Sequence, residues 1–344
     1  MRHPEGFVFL PAYEDQDIQS LGREPAKSPW KAYDTTAQAL EGKPSPNVLR
    51  LEGACRFRLY PRPEAVEEGF FEPGFSEEGF VELRYPGAWE LQGQGEPIYT
   101  NVPYPWPYEG EGRHLISPLA DGKNQPNPPF APEDNPTGCY RIRFHLPEGF
   151  EGKELYLRFD GVETAFYCWI NGKPAGFSKD SKLPAEFRVT ELVHAGENLL
   201  ALMVLRFADA SYLEDQDYWH LSGIHRGVFL TAKPAYHIHD CFLKPWLDPE
   251  RALGALTADV QVSRGAGYAT GRVRLELFDP ECTWKRQTFT DYTAQELLVP
   301  IFKGGELVYQ VPTLDEARAY CARQLELQWD EVKRFENPHN YYVD

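Results

Sequence analysis

The sequence predicts an all-β protein organised as a sandwich. After residue 138, apolar and polar residues alternate in short runs, which is the pattern of half-buried strands. Turn residues separate these runs at intervals of roughly 8–12 residues, as in sandwiches and barrels. The chain also contains 30 Pro and 28 Gly among its 344 residues, and this content disfavours long helices.

The first set of strands is predicted from alternation and turn signals, at residues 139–146, 154–159, 165–170, 187–192 and 199–205. Asn171 and Gly172, which follow the third of these, form a strong two-residue hairpin signal. The run at 199–205 is apolar throughout, as expected of a strand covered on both faces. Residues 1–46 show little periodicity and are predicted to form an irregular arm.

A second set of strands is predicted at residues 236–242, 255–262 and 271–278. It looks like the start of an immunoglobulin-like sandwich, although a complete one needs about seven strands. Further on, Gly304 and Gly305 mark the turn of a short hairpin. Apolar residues at helical spacing then predict an amphipathic helix over about 314–335, and Thr313 with Glu316 suits a capping box at its start.

Composition excludes several classes of partner. The formal charge is −17, from 52 acidic and 35 basic residues, so we expect neither nucleic acid nor an anionic membrane surface to bind. No apolar stretch is long enough to span a bilayer, and we do not expect the N-terminal residues to act as a signal peptide. The six cysteines form no CxxC pair, which argues against zinc. Cys168 is predicted to be a buried free thiol, and a cytoplasmic location is expected.

Several segments resemble the N-terminal region of bacterial family 2 β-galactosidases. They are the Tyr-Thr-Asn-Val segment at 99–102, the proline-rich segment at 127–140, the Trp-Ile-Asn-Gly turn at 169–172 and the segment Ser-Tyr-Leu-Glu-Asp-Gln-Asp-Tyr-Trp-His at 211–220. The resemblance covers residues ~15–280 in order. It implies a jelly-roll, galactose-binding-like β-sandwich followed by an immunoglobulin-like sandwich. In that family a TIM barrel then carries both catalytic glutamates.

Residues ~285–344 have a different resemblance, to the C-terminal end of bacterial nicotinate phosphoribosyltransferases. We therefore expect a chimera and four segments: the arm at 1–46, the jelly-roll sugar-binding-like domain at 47–233, the partial immunoglobulin-like sandwich at 234–282 and the phosphoribosyltransferase-like tail at 283–344. A barrel needs on the order of 250 residues. The catalytic barrel is accordingly expected to be absent, and the chain to be a truncated form.

The family resemblance implies two sugar-binding residues. Asn101 matches an asparagine that hydrogen-bonds galactose, and Asp217 matches an aspartate that contacts the sugar hydroxyls and ligates a monovalent cation such as sodium. The other cation ligands come from the barrel, so only a partial site is expected here. Trp219 is a third candidate for substrate binding, because flat rings stack on sugars. No other cofactor is expected.

Simpler structural roles compete with each of these assignments. Asn101 could make a local turn bond, and Asp217 could be purely structural. Trp219 and Trp89 are both predicted to be core residues. Glu214 and Asp215 are weak catalytic candidates that could instead be solvated or cap a loop. His220 and His225 are not a convincing metal pair.

Three functions remain open from the sequence. The first is a galactoside-recognising module without catalysis. The second is an active glycoside hydrolase that uses an acidic site on the sandwich, formed by Glu214, Asp215 and Asp217 with Asp209. The third is a fragment that complements a barrel chain in trans, whose orphaned barrel-facing surface would favour self-association.

Overall fold

A computed structural model of the chain describes residues 12–27, 31–101, 104–105, 128–248, 253–263, 273, 275–277, 287–289, 299–303 and 306–311. The chain divides into two compact units. The first comprises residues 1–26 and 31–233, and the second comprises residues 27–30 and 234–344. No helix within the described residues is long and apolar enough to cross a membrane.

The strands of the first unit are, in chain order, β1 (Ser20–Leu21), β2 (Val48–Leu51), β3 (Gly53–Tyr60), β4 (Val81–Tyr85), β5 (Ile98–Thr100), β6 (Thr137–Leu146), β7 (Glu154–Phe159), β8 (Val162–Glu163), β9 (Ala165–Ile170), β10 (Lys173–Ser178), β11 (Ala185–Arg188), β12 (Gly196–Leu205), β13 (Tyr218–His220), β14 (Gly223–Ile224) and β15 (Val228–Lys233). One short helix, α1, spans Thr36–Glu41. Single 3-10 turns lie at Ala12–Glu14, Pro63–Ala65, Glu90–Gln92 and Asp209–Tyr212.

Two antiparallel sheets form the sandwich. The larger sheet has the strand order β1-β10-β9-β12-β6-β3-β4, and the smaller sheet has the order β11-β7-β15-β2. This arrangement confirms the predicted mainly-β sandwich. The predicted hairpin is also present, because Asn171 and Gly172 both adopt positive φ between β9 and β10, as a two-residue turn requires.

Strand β9 shows how the core is built. Its alternate residues Phe166, Cys168 and Ile170 face the smaller sheet and join the main core. Tyr167 and Trp169 face the other way and join a second buried cluster. All six residues are buried, so a strand covered on both faces reads as a continuous apolar run. Strand β12 follows the same pattern, as predicted from its sequence.

The outer face of the larger sheet is covered by two chain segments. One is the N-terminal segment that carries Ala12 and Tyr13, and the other is the loop that carries Phe70, Phe71 and Phe80. Within residues 1–46, predicted as an irregular arm, the structure has the edge strand β1, paired with β10, and the capped helix α1. Such short elements leave no periodicity to detect.

The second unit contains β16 (His237–Asp248), β17 (Leu253–Ser263), β18 (Leu275–Leu277), β19 (Gln287–Phe289), β20 (Val299–Lys303) and β21 (Glu306–Val311). They pair as antiparallel two-stranded ribbons: β16 with β17, β18 with β19 and β20 with β21. The last pair flanks the predicted Gly304-Gly305 turn. The helix predicted over about 314–335 lies outside the described residues.

The two tryptophans predicted to be core residues differ. Trp89 is fully buried and packs against Phe57 and Tyr140, so that prediction is confirmed. For Trp219 the core prediction is wrong, because 56% of its surface is exposed. Trp219 lies on β13, which pairs only with β5 among the described strands. In the part of the chain that the structure describes, this two-stranded ribbon lies outside the main sheets, and no second layer covers the ring.

Candidate functional site

The predicted sugar-binding residues meet at one end of the sandwich. Strand β12 ends beside the start of β6, at the pair Leu205 and Thr137, and the chain then runs through the acidic segment into β13. Strand β13 pairs antiparallel with β5, with Tyr218 opposite Thr100. Asn101 directly follows Thr100, and Asp217 directly precedes Tyr218. The two residues therefore flank the same end of the ribbon, although 116 positions separate them in the sequence.

Asp217 is exposed and is held by a neighbour on the opposite strand. The Tyr99 hydroxyl donates a hydrogen bond of 2.7 Å to Asp217 Oδ1. This bond, together with the carboxylate charge, raises the pKa of Tyr99. Asn101 is exposed as well. The end of the ribbon therefore presents one carboxylate and one amide to solvent.

Two aromatic rings lie beside this carboxylate. Tyr99 and Trp219 are directly paired across the ribbon, and their ring centroids are 5.5 Å apart at an angle of 45°. Both rings are more than half exposed. Trp219 is thus available for contact with a ligand, as the sequence-based assignment to substrate binding requires.

The other acidic candidates are engaged elsewhere. Glu214 accepts hydrogen bonds from the backbone N–H of Ser181, at 2.9 Å, and from its hydroxyl. Asp209 accepts a bond of 2.7 Å from Lys179 Nζ, which also donates to the Asp15 carbonyl. Glu214 and Asp209 therefore act as loop anchors. Three of the four acids in the predicted cluster, Asp209, Glu214 and Asp217, thus each bond to a different residue.

Asp215 lies beside His220, with 3.7 Å between Asp215 Oδ1 and His220 Nε2. Burial raises the pKa of Asp215 to about 6. Burial, with the nearby charges of Arg206 and Lys182, lowers the pKa of His220 to about 4. His220 is therefore neutral near pH 7, and its Nε2 lies 3.0 Å from Thr100 Oγ1. This contact links the side chains of the two ribbon strands.

A hydrogen-bond network that the sequence analysis missed holds β13 through the Tyr218 hydroxyl. The Glu163 carboxylate accepts hydrogen bonds from Lys182 Nζ at 2.6 Å and from the Tyr218 hydroxyl at 3.1 Å. The Lys182 ammonium also lies 5.1 Å from the centre of the Tyr218 ring. Glu163 itself is buried on β8. We call Glu163, Lys182 and Tyr218 the support network. Tyr218 lies within the segment at 211–220 that carries the family resemblance, but no local sequence pattern indicates that it contacts Glu163 and Lys182.

A small polar pocket lies under the ribbon, between it and the sandwich. Its lining includes Glu163, Arg206, Glu214, Tyr218 and His220. Arg206 is 5% exposed and donates to the His220 and Glu96 carbonyls. The Arg206 side chain in this pocket is thus bonded to the protein. Asn101 and Asp217, at the outer end of the ribbon, face solvent.

The residues at the ribbon end fit a cation only in part. Hard cations take several oxygen ligands, six or more for calcium. The Asp217 carboxylate and the Asn101 amide supply only a few. Among the described residues, no group of three or more His, Cys, Asp or Glu side chains could hold a metal ion. No step of the function proposed below depends on a cation.

Most of the first unit matches a known protein family. The model of the glycosyl hydrolases family 2 sugar binding domain matches residues 48–118 and 123–234, more than half of the chain. The chain belongs to glycosyl hydrolase family 2. Both Asn101 and the acidic segment with Asp217 fall within the matched residues of this family 2 domain.

Relatives in family 2 support the same assignment. The chain is 40% identical over 254 residues to a protein of Vibrio cholerae named beta-galactosidase, covering 73% of this chain and 23% of that protein. A protein of the same name from Erwinia tasmaniensis is 34% identical over 339 residues, covering 96% of this chain and 29% of that protein. The chain spans about a quarter of the length of the curated relatives it matches.

Solved structures show the same fold. A β-glucuronidase from Bacteroides uniformis matches with a TM-score of 0.51 at 19% identity, over 72% of this chain and 26% of that one.

The C-terminal part of the chain has a separate match, to the nicotinate phosphoribosyltransferase C-terminal domain over residues 253–344. This second match confirms the resemblance seen in the tail. It begins within the stretch that the sequence assigns to the immunoglobulin-like fragment.

Proposed function

We propose that the chain recognises galactose-type sugars at the end of the β5–β13 ribbon. The observation that carries this proposal is the position of Asn101 and Asp217 at the same end of an exposed ribbon. An amide both donates and accepts, and a carboxylate accepts, so the pair suits the directional bonds of a polyol. The family 2 sugar binding domain and relatives named beta-galactosidase support galactose as the sugar.

Isothermal titration with methyl β-galactoside tests the proposal. Asp217→Ala and Asn101→Ala should each weaken binding about tenfold, because each removes a hydrogen-bonding group from a solvent-facing site. Glu148→Ala is the matched control, since Glu148 is an exposed carboxylate in the turn after β6, at the opposite end of that strand from Thr137. Absence of binding by the unmodified chain at millimolar sugar would contradict the proposal.

We further propose that these residues bind sugar without hydrolysing it. Retaining hydrolysis needs two carboxyl groups about 5–5.5 Å apart, flanking the glycosidic bond. Asp209, Glu214 and Asp217 have Lys179, Ser181 and Tyr99 as separate partners. These contacts argue against a catalytic pair on the sandwich. A chromogenic galactoside assay decides the matter, since turnover by the purified chain that is lost in Glu214→Gln and Asp215→Asn would contradict the proposal.

The remaining assignments are proposals with separate tests. We infer that residues 283–344 derive from a second gene and carry no activity in sugar binding, so a chain ending at Lys233 should retain galactoside binding. Self-association through the surface that faces the barrel in the family is a further proposal, and light scattering tests it. The buried free thiols of Cys55, Cys139 and Cys168 support a reducing compartment such as the cytoplasm.

A further inference from the structure

We propose that Tyr99 and Trp219 form a stacking platform for the apolar face of a neutral hexopyranose, and that Asp217 at its edge selects against uronates. This inference rests on the proposed function of the same ribbon and names the class of sugar. Tyr99 thereby becomes a binding residue, a role that neither the family resemblance nor the sequence pattern assigned to it.

The exposure of the two rings is the first step in the argument. Tyr99 is 53% exposed and Trp219 is 56% exposed, although aromatic side chains are the ones that gain most from burial. They contact each other, yet no second layer formed by the described residues covers either ring. Each therefore presents a ring surface to solvent at the point where the amide and carboxylate also emerge.

The size of this surface indicates a small ligand. An aromatic side chain buries about 150–250 Å² when fully covered, so two half-exposed rings offer about 200 Å². A stable protein interface needs about 800 Å² on each partner. A single sugar ring has the matching character, because C–H groups occupy one face and hydroxyls project from its rim.

Asp217 supplies the polar half of the platform. The Tyr99 hydroxyl fixes its Oδ1, and its exposed position leaves the carboxylate able to accept from sugar hydroxyls. Tyr99 thus has two roles, since its ring stacks and its hydroxyl orients the acceptor. A carboxylate that can only accept suits the hydroxyl donors of a neutral sugar.

The same charge opposes an acidic sugar. Two like charges about 4 Å apart repel by about 1 kcal/mol even in water and by more near a protein surface. The neighbouring Glu214 and Asp215 have the same sign, and the Lys182 ammonium beside Tyr218 is paired with Glu163. A uronate carboxylate at the platform would therefore be repelled by Asp217.

The test compares methyl β-galactoside with methyl β-glucuronide in isothermal titrations at low salt, for the full chain and four variants. Trp219→Ala should weaken galactoside binding at least tenfold. Tyr99→Phe, which keeps the ring and loses the hydroxyl, should weaken it about threefold. Asp217→Asn should improve glucuronide binding at least fivefold relative to galactoside binding. Phe242→Ala removes an equally exposed ring of the second unit and should change neither.

The results separate this inference from the function on which it rests. If the unmodified chain binds neither sugar, the proposed function itself fails, and the platform fails with it. If the chain binds galactoside and Asn101→Ala weakens it, but Trp219→Ala binds as tightly as the unmodified chain, only the platform is overturned. Equal affinity for both sugars in the unmodified chain would overturn the role of Asp217 in selection.

Saturation-transfer NMR should show ring C–H protons of the galactoside receiving magnetisation from aromatic protons, and this transfer should fall in Trp219→Ala.

Discussion

Two aromatic pairs in the first unit differ in a way that separates folding from recognition. Phe71 and Trp169 stack with centroids 4.9 Å apart and planes 5° apart, and both are buried. Tyr99 and Trp219 lie 5.5 Å apart at 45°, and both are exposed. Packing accounts fully for the first pair. Packing among the described residues leaves the second pair exposed, and the proposed stacking platform uses this exposed surface.

The largest expected effect is on stability, at the buried pair. Trp169→Ala should lower the free energy of unfolding by about 3–5 kcal/mol, because it leaves a large cavity in the cluster over the outer face of the main sheet. Trp219→Ala should lower it by no more than about 0.5 kcal/mol, as for other surface positions. Urea unfolding of both variants measures the difference. Similar losses in the two variants would remove the distinction between the pairs.

A buried ion pair gives the next largest effect. The Lys179 side chain is 1% exposed, and its ammonium bonds Asp209 Oδ2 and the Asp15 carbonyl. Lys179→Ala should cost about 3 kcal/mol, because it leaves the Asp209 carboxylate buried without its partner. The double variant Lys179→Ala with Asp209→Ala should recover part of this loss. Urea unfolding of both variants tests the prediction, and no recovery would contradict an electrostatic cause.

The pH dependence of stability should come in part from His220. Its folded pKa is lowered to about 4, against an ordinary value of about 6.5. The unfolded chain therefore binds a proton that the folded chain excludes, so stability is lost as the pH falls from about 6.5 towards 4. His220→Gln should reduce this loss by about 1–2 kcal/mol, after allowance for solvent screening. Urea unfolding at pH 7 and pH 4.5 checks this, and an unchanged pH dependence would contradict it.

The support network should contribute less to stability than the buried aromatic pair or the buried ion pair, but it should have a clear effect on the site. Tyr218→Phe removes the hydroxyl that bonds Glu163 and should cost about 1 kcal/mol. Because Tyr218 follows Asp217 directly, galactoside affinity should also fall about threefold. Tyr156→Phe on β7 is a control tyrosine variant away from the ribbon. An unchanged affinity in Tyr218→Phe would show that the network does not position the site.

The sequence predicted the regular part of the fold well. The bounds of β7 and β9 match the predicted strands, since alternation and the Asn-Gly turn are local signals. Three-residue strands such as β5 and β13 carry no usable period, so the ribbon that brings Asn101 to Asp217 was not foreseen as an element. The exposure of Trp219 depends on that ribbon, which explains why its core assignment failed.

The site was predicted in part. The family resemblance singled out Asn101 and Asp217, which the fold brings to one end of the ribbon. The partners of the acidic residues could not be inferred, because Ser181 and Lys179 lie about thirty residues from Glu214 and Asp209. Tyr99 was missed for a similar reason. Its contact with Asp217 exists only because β5 pairs with β13.

A crystal structure of the chain soaked in methyl β-galactoside tests the central claim most directly. The account predicts sugar density at the end of the β5–β13 ribbon, with one ring face against Trp219 and Tyr99. A hydroxyl should lie within about 2.7–3.0 Å of an Asp217 carboxylate oxygen. Sugar density at another site, with the ribbon end free of sugar, would contradict it.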